Sequence, residues 1–200
     1  MRHFLWIEHD RGPKCKALAD EIASREDHLN ILVNNAGNNW GAPLEEFPDA
    51  AFDRCFALNV KGVFNTTKFL LPLLKKAASA DDPARVINIG SIDGVQAPFL
   101  DTYAYSSSKA AVLHMSRVLA RKLAPFKITV NGIAPGPFES KMMHETLERF
   151  GDQIKATCPM GRVGEPEDMA GVCIYLSSRA GSYLTGAVIP VDGGISTAHA

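Results

Sequence analysis

The sequence lacks an excess of charge of either sign, because 21 basic and 22 acidic residues leave a formal net charge of -1. It also lacks a long apolar run: residues 4–7 are followed by a charged cluster, so the N-terminus is too short for a signal-peptide core or a membrane span. We therefore expect no nucleic-acid partner, no membrane partner and a cytoplasmic location.

Cysteine is scarce, and the spacing of the four cysteines excludes the usual zinc patterns. Cys15, Cys55, Cys158 and Cys173 form no C-x-x-C pair, so we expect no metal site and read them as small buried residues of a reducing compartment. Internal repeats and low-complexity segments are missing too. A chain of 200 residues without such features is predicted to form one domain over residues 1–200.

What the sequence does contain is an alternation of strand-like and helix-like segments. Strands are predicted at 4–7, 31–33, 85–90, 127–133 and 187–191, and helices at 14–26, 52–75, 103–124 and after Glu165. Such alternation is typical of an α/β protein with an open, mostly parallel, doubly wound sheet of the Rossmann type. Ligands of such sheets bind at the carboxyl ends of the strands.

Tyr105 and Lys109 are the first candidate catalytic pair. They stand four residues apart in YSSSK, a spacing that places both side chains on one face of a helix. The same face continues through apolar residues at Val112 and Leu119, so Lys109 occupies a position where a core residue is expected. Because a buried lysine needs a partner, this pair points to chemistry more than to a solvated surface.

A buried ammonium near the phenol would change how Tyr105 titrates. At about 5 Å and an effective dielectric of about 20, it would favour phenolate by about 3 kcal/mol. The pKa of Tyr105 would then fall from about 10 toward neutrality. The sequence thus predicts a tyrosine that acts as general acid or base on a carbonyl or alcohol.

Two further polar residues lie near these predicted elements. Ser91 directly follows the strand at 85–90, where it is either a turn-capping serine or a ligand-binding one. Asn59 lies on the apolar stripe of the helix at 52–75, where it either satisfies a neighbouring backbone group or holds a water that passes protons to Lys109. GSIDG does not match the G-x-S-x-G elbow, which argues against a serine hydrolase.

Taken together, these motifs closely resemble the short-chain dehydrogenase/reductase family. The resemblance covers nearly the whole chain and rests on NNAG at 34–37, LNVKG, NIGSIDG, YSSSK, NGIAPGPFESKM, GRVGEPEDMAG and LTGAVIPVDGG. Within the family, NNWGAP, DPARVINIGSIDG and GPFESKMM are most similar to 3-oxoacyl-[acyl-carrier-protein] reductases of the rhamnolipid-synthesis type.

The resemblance implies hydride transfer between a nicotinamide and a carbonyl carbon. Tyr105 would give or take the proton of the substrate oxygen, and Ser91 would hydrogen-bond that oxygen. Lys109 would hold the nicotinamide ribose and lower the pKa of Tyr105, while Asn59 would anchor a proton-relay water. These four residues are the predicted catalytic set.

The resemblance also implies the surroundings of the cofactor. Asn35, Ala36 and Gly37 would pass its adenosine side, where small residues permit close backbone approach. The nicotinamide would be bordered by Pro135, Gly136, Pro137, Phe138 and Ser140, the last in place of the usual threonine. NADP is the cofactor that the resemblance favours, with NAD left open, and a homo-oligomer, dimer or tetramer, is implied.

One family feature is missing from the sequence: the strand, T-G-x-x-x-G-x-G loop and helix that bind the pyrophosphate. Residues 4–10 resemble the family's third strand, in which Glu8 or Asp10 would meet the adenine. We therefore expect an N-terminally truncated sheet that lacks the first two strands and the glycine-rich loop. The strand at 31–33 would then have an unpaired edge, and residues 1–29 would be poorly anchored.

Three functions remain open at this stage. The first is a 3-oxoacyl reductase acting on acyl-carrier-protein or CoA thioesters in fatty acid metabolism. A second is a truncated isoform without catalysis that serves as a binding or oligomerisation partner. The third keeps the family but changes the substrate to a sugar, a steroid or another secondary alcohol.

Overall fold

The computed structural model of the protein describes residues 12–198, and its centre is a parallel sheet of four strands. The strands follow one another in space in the order of the sequence, and each pair is parallel: β1 (Ile31–Asn34), β2 (Ala84–Ile89), β3 (Ile128–Pro135) and β4 (Val188–Val191). The predicted α/β class with a parallel, Rossmann-like sheet is confirmed, and all four carboxyl ends meet at one edge.

Helices cover the sheet on both faces. They are α1 (Gly12–Arg25), α2 (Asp49–Phe56), α3 (Val63–Ala77), α4 (Tyr103–Leu123), α5 (His144–Thr157) and α6 (Pro166–Ser177). On one face α1, α3 and α4 pack against Val86 and Val130. On the other, α6 packs against Ile87 and Ile133, so the alternation of side chains along β2 and β3 serves two cores.

The start of α6 follows directly from its sequence. Pro166 occupies the first turn, and Glu165 and Asp168 form a reciprocal capping box. Arg162 donates to both carboxylate oxygens of Asp168, at 2.7 and 3.1 Å. These bonds, with the backbone N–H of Glu165, lower the pKa of Asp168 to about 2.

The helix predicted over 52–75 is present, but its middle is not α-helical. A π turn over Ala57–Gly62 separates α2 from α3, and Asn59 lies within it. An extra residue in a turn rotates the helix that follows relative to the one before, so the side chains of α2 and α3 do not share one continuous stripe. Phe52, the first residue of the predicted helix, is exposed.

β1 is less buried than the run of apolar residues at 31–33 predicts. Leu32 and Asn34 are buried, whereas Ile31 is 40 % and Val33 43 % exposed. Within residues 12–198, β1 pairs only with β2, and one of its faces is uncovered. The expected unpaired edge is therefore present in the described part of the chain.

The segment before β1 is described only in part. The predicted strand at 4–7, together with Glu8 and Asp10, lies outside the described residues. Residues 12–25 form α1, whose Cys15 and Ala19 are buried against α3. How firmly residues 1–29 are held stays a prediction.

Two other sequence expectations concern cysteines and membranes. Cys15, Cys55 and Cys158 are buried, as expected, while Cys173 is half-buried. Across residues 12–198, every helix is too short or too polar to cross a membrane.

Candidate active site

Ser91 lies just beyond the carboxyl end of β2, at the edge where parallel sheets bind ligands. Its backbone is extended, and its hydroxyl oxygen accepts a hydrogen bond of 3.1 Å from the backbone N–H of Asp93. The serine is therefore a turn-capping residue, one of the two interpretations of the sequence. The Ser91 side chain also lies close enough to the Tyr105 phenol to lower the pKa of that group, so the turn brings the two candidate residues together.

Tyr105 and Lys109 begin α4 on the face that points to the carboxyl edge. Lys109 is only 5 % exposed, as the apolar stripe of the helix predicts. Its ammonium donates a hydrogen bond of 2.8 Å to the carbonyl oxygen of Ile89, the last residue of β2. Lys109 Nζ stands 5.5 Å from the centre of the Tyr105 ring, so the pair is assembled before any ligand binds.

Gly94 explains why α4 can approach the end of β2 so closely. A methyl group on Gly94 would lie 2.6 Å from the backbone carbon of Lys109 and 2.6 Å from the nitrogen of Ala110. Only glycine permits this contact between the turn after Ser91 and the helix. The turn and α4 thus hold Ser91 and Tyr105 at a set separation.

The predicted lowering of the Tyr105 pKa is wrong for the protein without cofactor. Burial raises the pKa of Tyr105, the hydrogen bond from Ser91 partly opposes this, and the charges of Asp93 and Cys55 raise it further. Burial also lowers the pKa of Lys109 to about 8. Because both groups are removed from water, each one favours its neutral form, an effect that the spacing of two residues could not reveal.

Asn59 satisfies neighbouring backbone groups, which is the first of the two roles that the sequence allows. It is 1 % exposed, and its Oδ1 accepts from the backbone N–H of Asn38 at 2.9 Å while its Nδ2 donates to the Asn38 carbonyl at 3.0 Å. The second Nδ2 hydrogen bond, of 2.9 Å, goes to Ser108 Oγ. Both amide donors are thereby used within the protein, and a water-relay role would fall to its remaining acceptors.

The turn after β1 brings the NNAG motif to the same place. A methyl group on Gly37 would lie 3.3 Å from Asn59 Oδ1 and 3.4 Å from Lys109 Nζ, so the backbone at Gly37 passes close to both side chains. Asn35 and Ala36, which precede it, are exposed at the carboxyl edge. Their exposure is consistent with the predicted cofactor contacts, which stay a prediction.

The second group of predicted cofactor contacts follows β3. The Gly136 N–H donates to the Val191 carbonyl at 2.9 Å, and the Pro137 carbonyl accepts from Gly164 at 2.9 Å. Phe138 lies directly on Gly164, which has no room for a side chain. Ser140 is exposed and accepts from the Met143 N–H at 3.3 Å, so its hydroxyl stabilises the start of the following turn.

Helix α5, which the sequence pattern did not predict, follows this loop. Phe150 of α5 contacts Phe99 edge to face, with 6.1 Å between ring centres, and Phe99 belongs to the loop between Ser91 and Tyr105. A cleft of about 380 Å³ lies along α5, lined by polar residues such as Glu139, Ser140 and Lys155 as well as by Leu147 and Val163. α5 therefore contacts the loop that joins Ser91 to Tyr105.

The donor set at this edge fits a nicotinamide ribose. The Lys109 ammonium has three N–H donors, of which one is directed to Ile89 and the others can reach ligand hydroxyls. The Tyr105 phenol stands on the same side, and Gly37 leaves space for a close approach. Sugar hydroxyls match such a mixture of donors and acceptors.

A parallel α/β sheet with a serine, a tyrosine and a buried lysine at its carboxyl edge defines a class of dinucleotide-dependent oxidoreductases. The model of a family described as enoyl-(acyl carrier protein) reductase matches residues 10–196. The chain belongs to the short-chain dehydrogenase/reductase family, as its motifs predict.

Individual relatives agree with this assignment. Over 181 residues the chain is 47 % identical to the rhamnolipids biosynthesis 3-oxoacyl-[acyl-carrier-protein] reductase of Pseudomonas aeruginosa, covering 90 % of this chain and 71 % of that protein. Among solved structures, the P. aeruginosa RhlG/NADP active-site complex matches with a TM-score of 0.90 at 45 % identity, over 94 % of this chain and 74 % of that one. A gluconate 5-dehydrogenase from Burkholderia cenocepacia, in complex with NADP and tartrate, matches with a TM-score of 0.88 at 29 % identity, over 95 % and 73 %.

Proposed function

We propose that the protein is an NADPH-dependent reductase that converts the 3-oxo group of an acyl thioester, carried by acyl carrier protein or CoA, into a secondary alcohol. The observation that carries this proposal is the Ser91, Tyr105 and Lys109 constellation at the carboxyl edge of the sheet. The similarity to a 3-oxoacyl reductase and to an NADP complex supports the choice of substrate and cofactor.

In this reaction bound NADPH supplies the hydride, and the residues of the chain handle the oxygen and its proton. Because the pKa of Tyr105 is raised, the phenol is protonated at neutral pH and can donate its proton to the carbonyl oxygen as negative charge develops there. The Ser91 hydroxyl oxygen accepts a hydrogen bond from the Asp93 N–H. Its own O–H is then available to hydrogen-bond the carbonyl oxygen of the substrate. Lys109, with a pKa of about 8, is still mostly cationic at pH 7 and holds the ribose.

We also propose that the protein acts in the cytoplasm as a homo-oligomer. Large apolar side chains are exposed on α2, α3 and α6, among them Phe52, Phe64 and Ile174. An apolar cleft along Phe56, Ala57 and Val60 lies on the same side of α2. These exposed apolar side chains support association into a dimer or tetramer. Sedimentation velocity measures the oligomeric state directly.

Turnover of NADPH with a 3-oxoacyl thioester, followed by nicotinamide absorbance, tests the reductase proposal. The Tyr105→Phe variant removes the proton donor, and we expect kcat to fall by about 10²- to 10⁴-fold. Tyr103→Phe is the matched control, since Tyr103 stands at the start of the same helix with its hydroxyl on Asp101. Equal activity of the two variants would contradict the proposed role of Tyr105.

The same assay separates the other two functions. A sugar acid such as gluconate, or another secondary alcohol, is tested in the oxidative direction because the Burkholderia cenocepacia relative is a gluconate 5-dehydrogenase. Turnover of that alcohol without turnover of the thioester would change the substrate class. The non-catalytic partner function would be favoured if NADPH showed no binding in a calorimetric titration.

A further inference from the structure

Ser108, which precedes Lys109 in YSSSK, is a completely buried polar residue that the proposed reaction does not use. Its hydroxyl donates a hydrogen bond of 2.7 Å to the carbonyl oxygen of Tyr105. The Ser108 hydroxyl oxygen in turn accepts a hydrogen bond of 2.9 Å from Asn59 Nδ2. Ser108 therefore joins the backbone of the candidate proton donor to the π turn between α2 and α3.

The chain of hydrogen bonds continues from Asn59 to the turn after β1. Asn59 contacts both the N–H and the C=O of Asn38, at 2.9 and 3.0 Å, so its amide is held by Ser108 on one side and by Asn38 on the other. Asn38 directly follows Gly37, whose backbone passes over Lys109. Three separate segments thus depend on one buried hydroxyl for their relative placement.

We propose that Ser108 is a positioning residue: it fixes the turn at 34–38 against the Tyr105 and Lys109 face of α4, an inference that rests on the proposed function of that face. Without the Ser108 hydroxyl, one N–H of Asn59 has no acceptor in a buried site, which is unfavourable. Asn59 then rotates to find another partner, and its double contact with Asn38 loosens. The turn at 34–38 and α4 are then no longer joined through the Ser108 hydroxyl.

Helix α4 contains a matched control for this effect. Ser116, two turns further along, is also completely buried, donates to the Val112 carbonyl at 2.8 Å and accepts from Asn88 Nδ2 at 2.9 Å. Like Ser108, it donates to a backbone carbonyl of α4 and accepts from an asparagine amide. None of the four candidate catalytic residues is among its partners. Ser116→Ala therefore measures the cost of losing such a hydroxyl without disturbing the catalytic edge.

Hydrogen exchange at the backbone amide of Asn38 tests the proposal in the full chain. This N–H donates to Asn59 Oδ1, so it is protected as long as Asn59 is held in place. We expect exchange about tenfold faster in Ser108→Ala, little change in Ser116→Ala, and an intermediate rate in Ser108→Cys, whose thiol is a weaker donor and acceptor. Equal exchange in the two alanine variants would overturn the proposal, whether or not the chain turns over.

Turnover provides the second readout. In Ser108→Ala we expect kcat/KM to fall about tenfold and the pH profile of kcat/KM to move, because Tyr105 and Lys109 change their surroundings. Ser116→Ala should lose comparable stability while keeping both the rate and the profile. A Ser108→Ala enzyme with unchanged rate and profile would overturn the positioning role, whereas an active Tyr105→Phe enzyme would instead count against the proposed function.

Discussion

Lys109 combines two opposing requirements at the scale of a single residue, since the proposed reaction uses its charge and its burial disfavours that charge. The side chain is nearly inaccessible, and its pKa falls from 10.5 to about 8. A difference of this size corresponds to roughly 3 kcal/mol of unfavourable interaction with the charged form. The site therefore contains a group that function retains at the expense of stability.

The pH dependence of unfolding should reveal this cost. Below pH 8 the folded protein keeps Lys109 charged and carries the full penalty. Between pH 8 and pH 10.5 the folded state has lost a proton that the unfolded state still binds, so stability rises with pH through that window. We compare the unfolding free energy of Lys109→Met, measured in urea, with that of the unchanged chain. The advantage of the variant should be largest at pH 7. Between pH 8 and pH 10.5 it should fall by about 1.4 kcal/mol per pH unit. A difference that is constant from pH 7 to pH 10.5 would contradict the shifted pKa.

Gly94 is the second residue at which a small change has a large expected effect. Its substitution by alanine places a methyl group 2.6 Å from the backbone of α4, so the turn after Ser91 must move. We expect Gly94→Ala to destabilise the fold by about 1 to 3 kcal/mol. Gly151→Ala is the control, because nothing lies within 4 Å of that methyl group in α5 and alanine favours a helix by about 1 kcal/mol. Urea unfolding of both variants should give changes of opposite sign.

At the scale of elements, the helices differ in how much of each is buried. α4 buries eight residues along its length, whereas α1 buries only Cys15 and Ala19. This contrast supports the prediction that residues 1–29 are held less firmly than the rest. Local opening is easiest where few apolar contacts must be broken.

Hydrogen exchange followed by mass spectrometry tests this expectation. Amides in the middle of α1 should exchange about tenfold or more faster than those in the middle of α4 under conditions where the protein stays folded. Equal protection in the two helices would show that α1 belongs to the same cooperative unit as the sheet.

At the scale of the whole molecule, the exposed surface of β1 is the feature with the clearest consequence. Ile31 and Val33 lie on its uncovered face, next to an edge that pairs with nothing else within residues 12–198. Apolar side chains beside free strand groups favour pairing with another chain. The surface therefore predicts association at the sheet in addition to any through the helices.

Substitution of Val33 tests that association. Val33→Thr keeps the branched shape while making the face more polar, and we expect lower light scattering and a higher concentration threshold for aggregation. Val95→Thr is the control, since Val95 is exposed in a turn away from the strand edge. If both substitutions change scattering equally, the effect is one of overall polarity and the edge of β1 has no special part in it.

Much of the fold could be predicted from the sequence because its signals are local. Apolar periodicity located β2, β3 and α4 to within about two residues, and the capping residues Glu165 and Pro166 marked where α6 begins. The helix α5 escaped prediction because its outward face is polar and only Ile154 is buried. The π turn at Ala57–Gly62 was missed because an inserted residue leaves no mark in the composition of the helix.

The sequence by itself determined the alternation of most strands and helices, the parallel sheet and the candidate residues at its carboxyl edge. Tertiary structure alone decided how those residues behave: Tyr105 has a raised pKa, Asn59 is occupied by Asn38 and Ser108, and β1 is buried on one face only. The physical reason is the separation along the chain of the residues that interact. Periodicity and motif spacing depend on residues that are neighbours in the chain, whereas burial, hydrogen-bond partners and pKa values depend on side chains that folding brings together from distant positions.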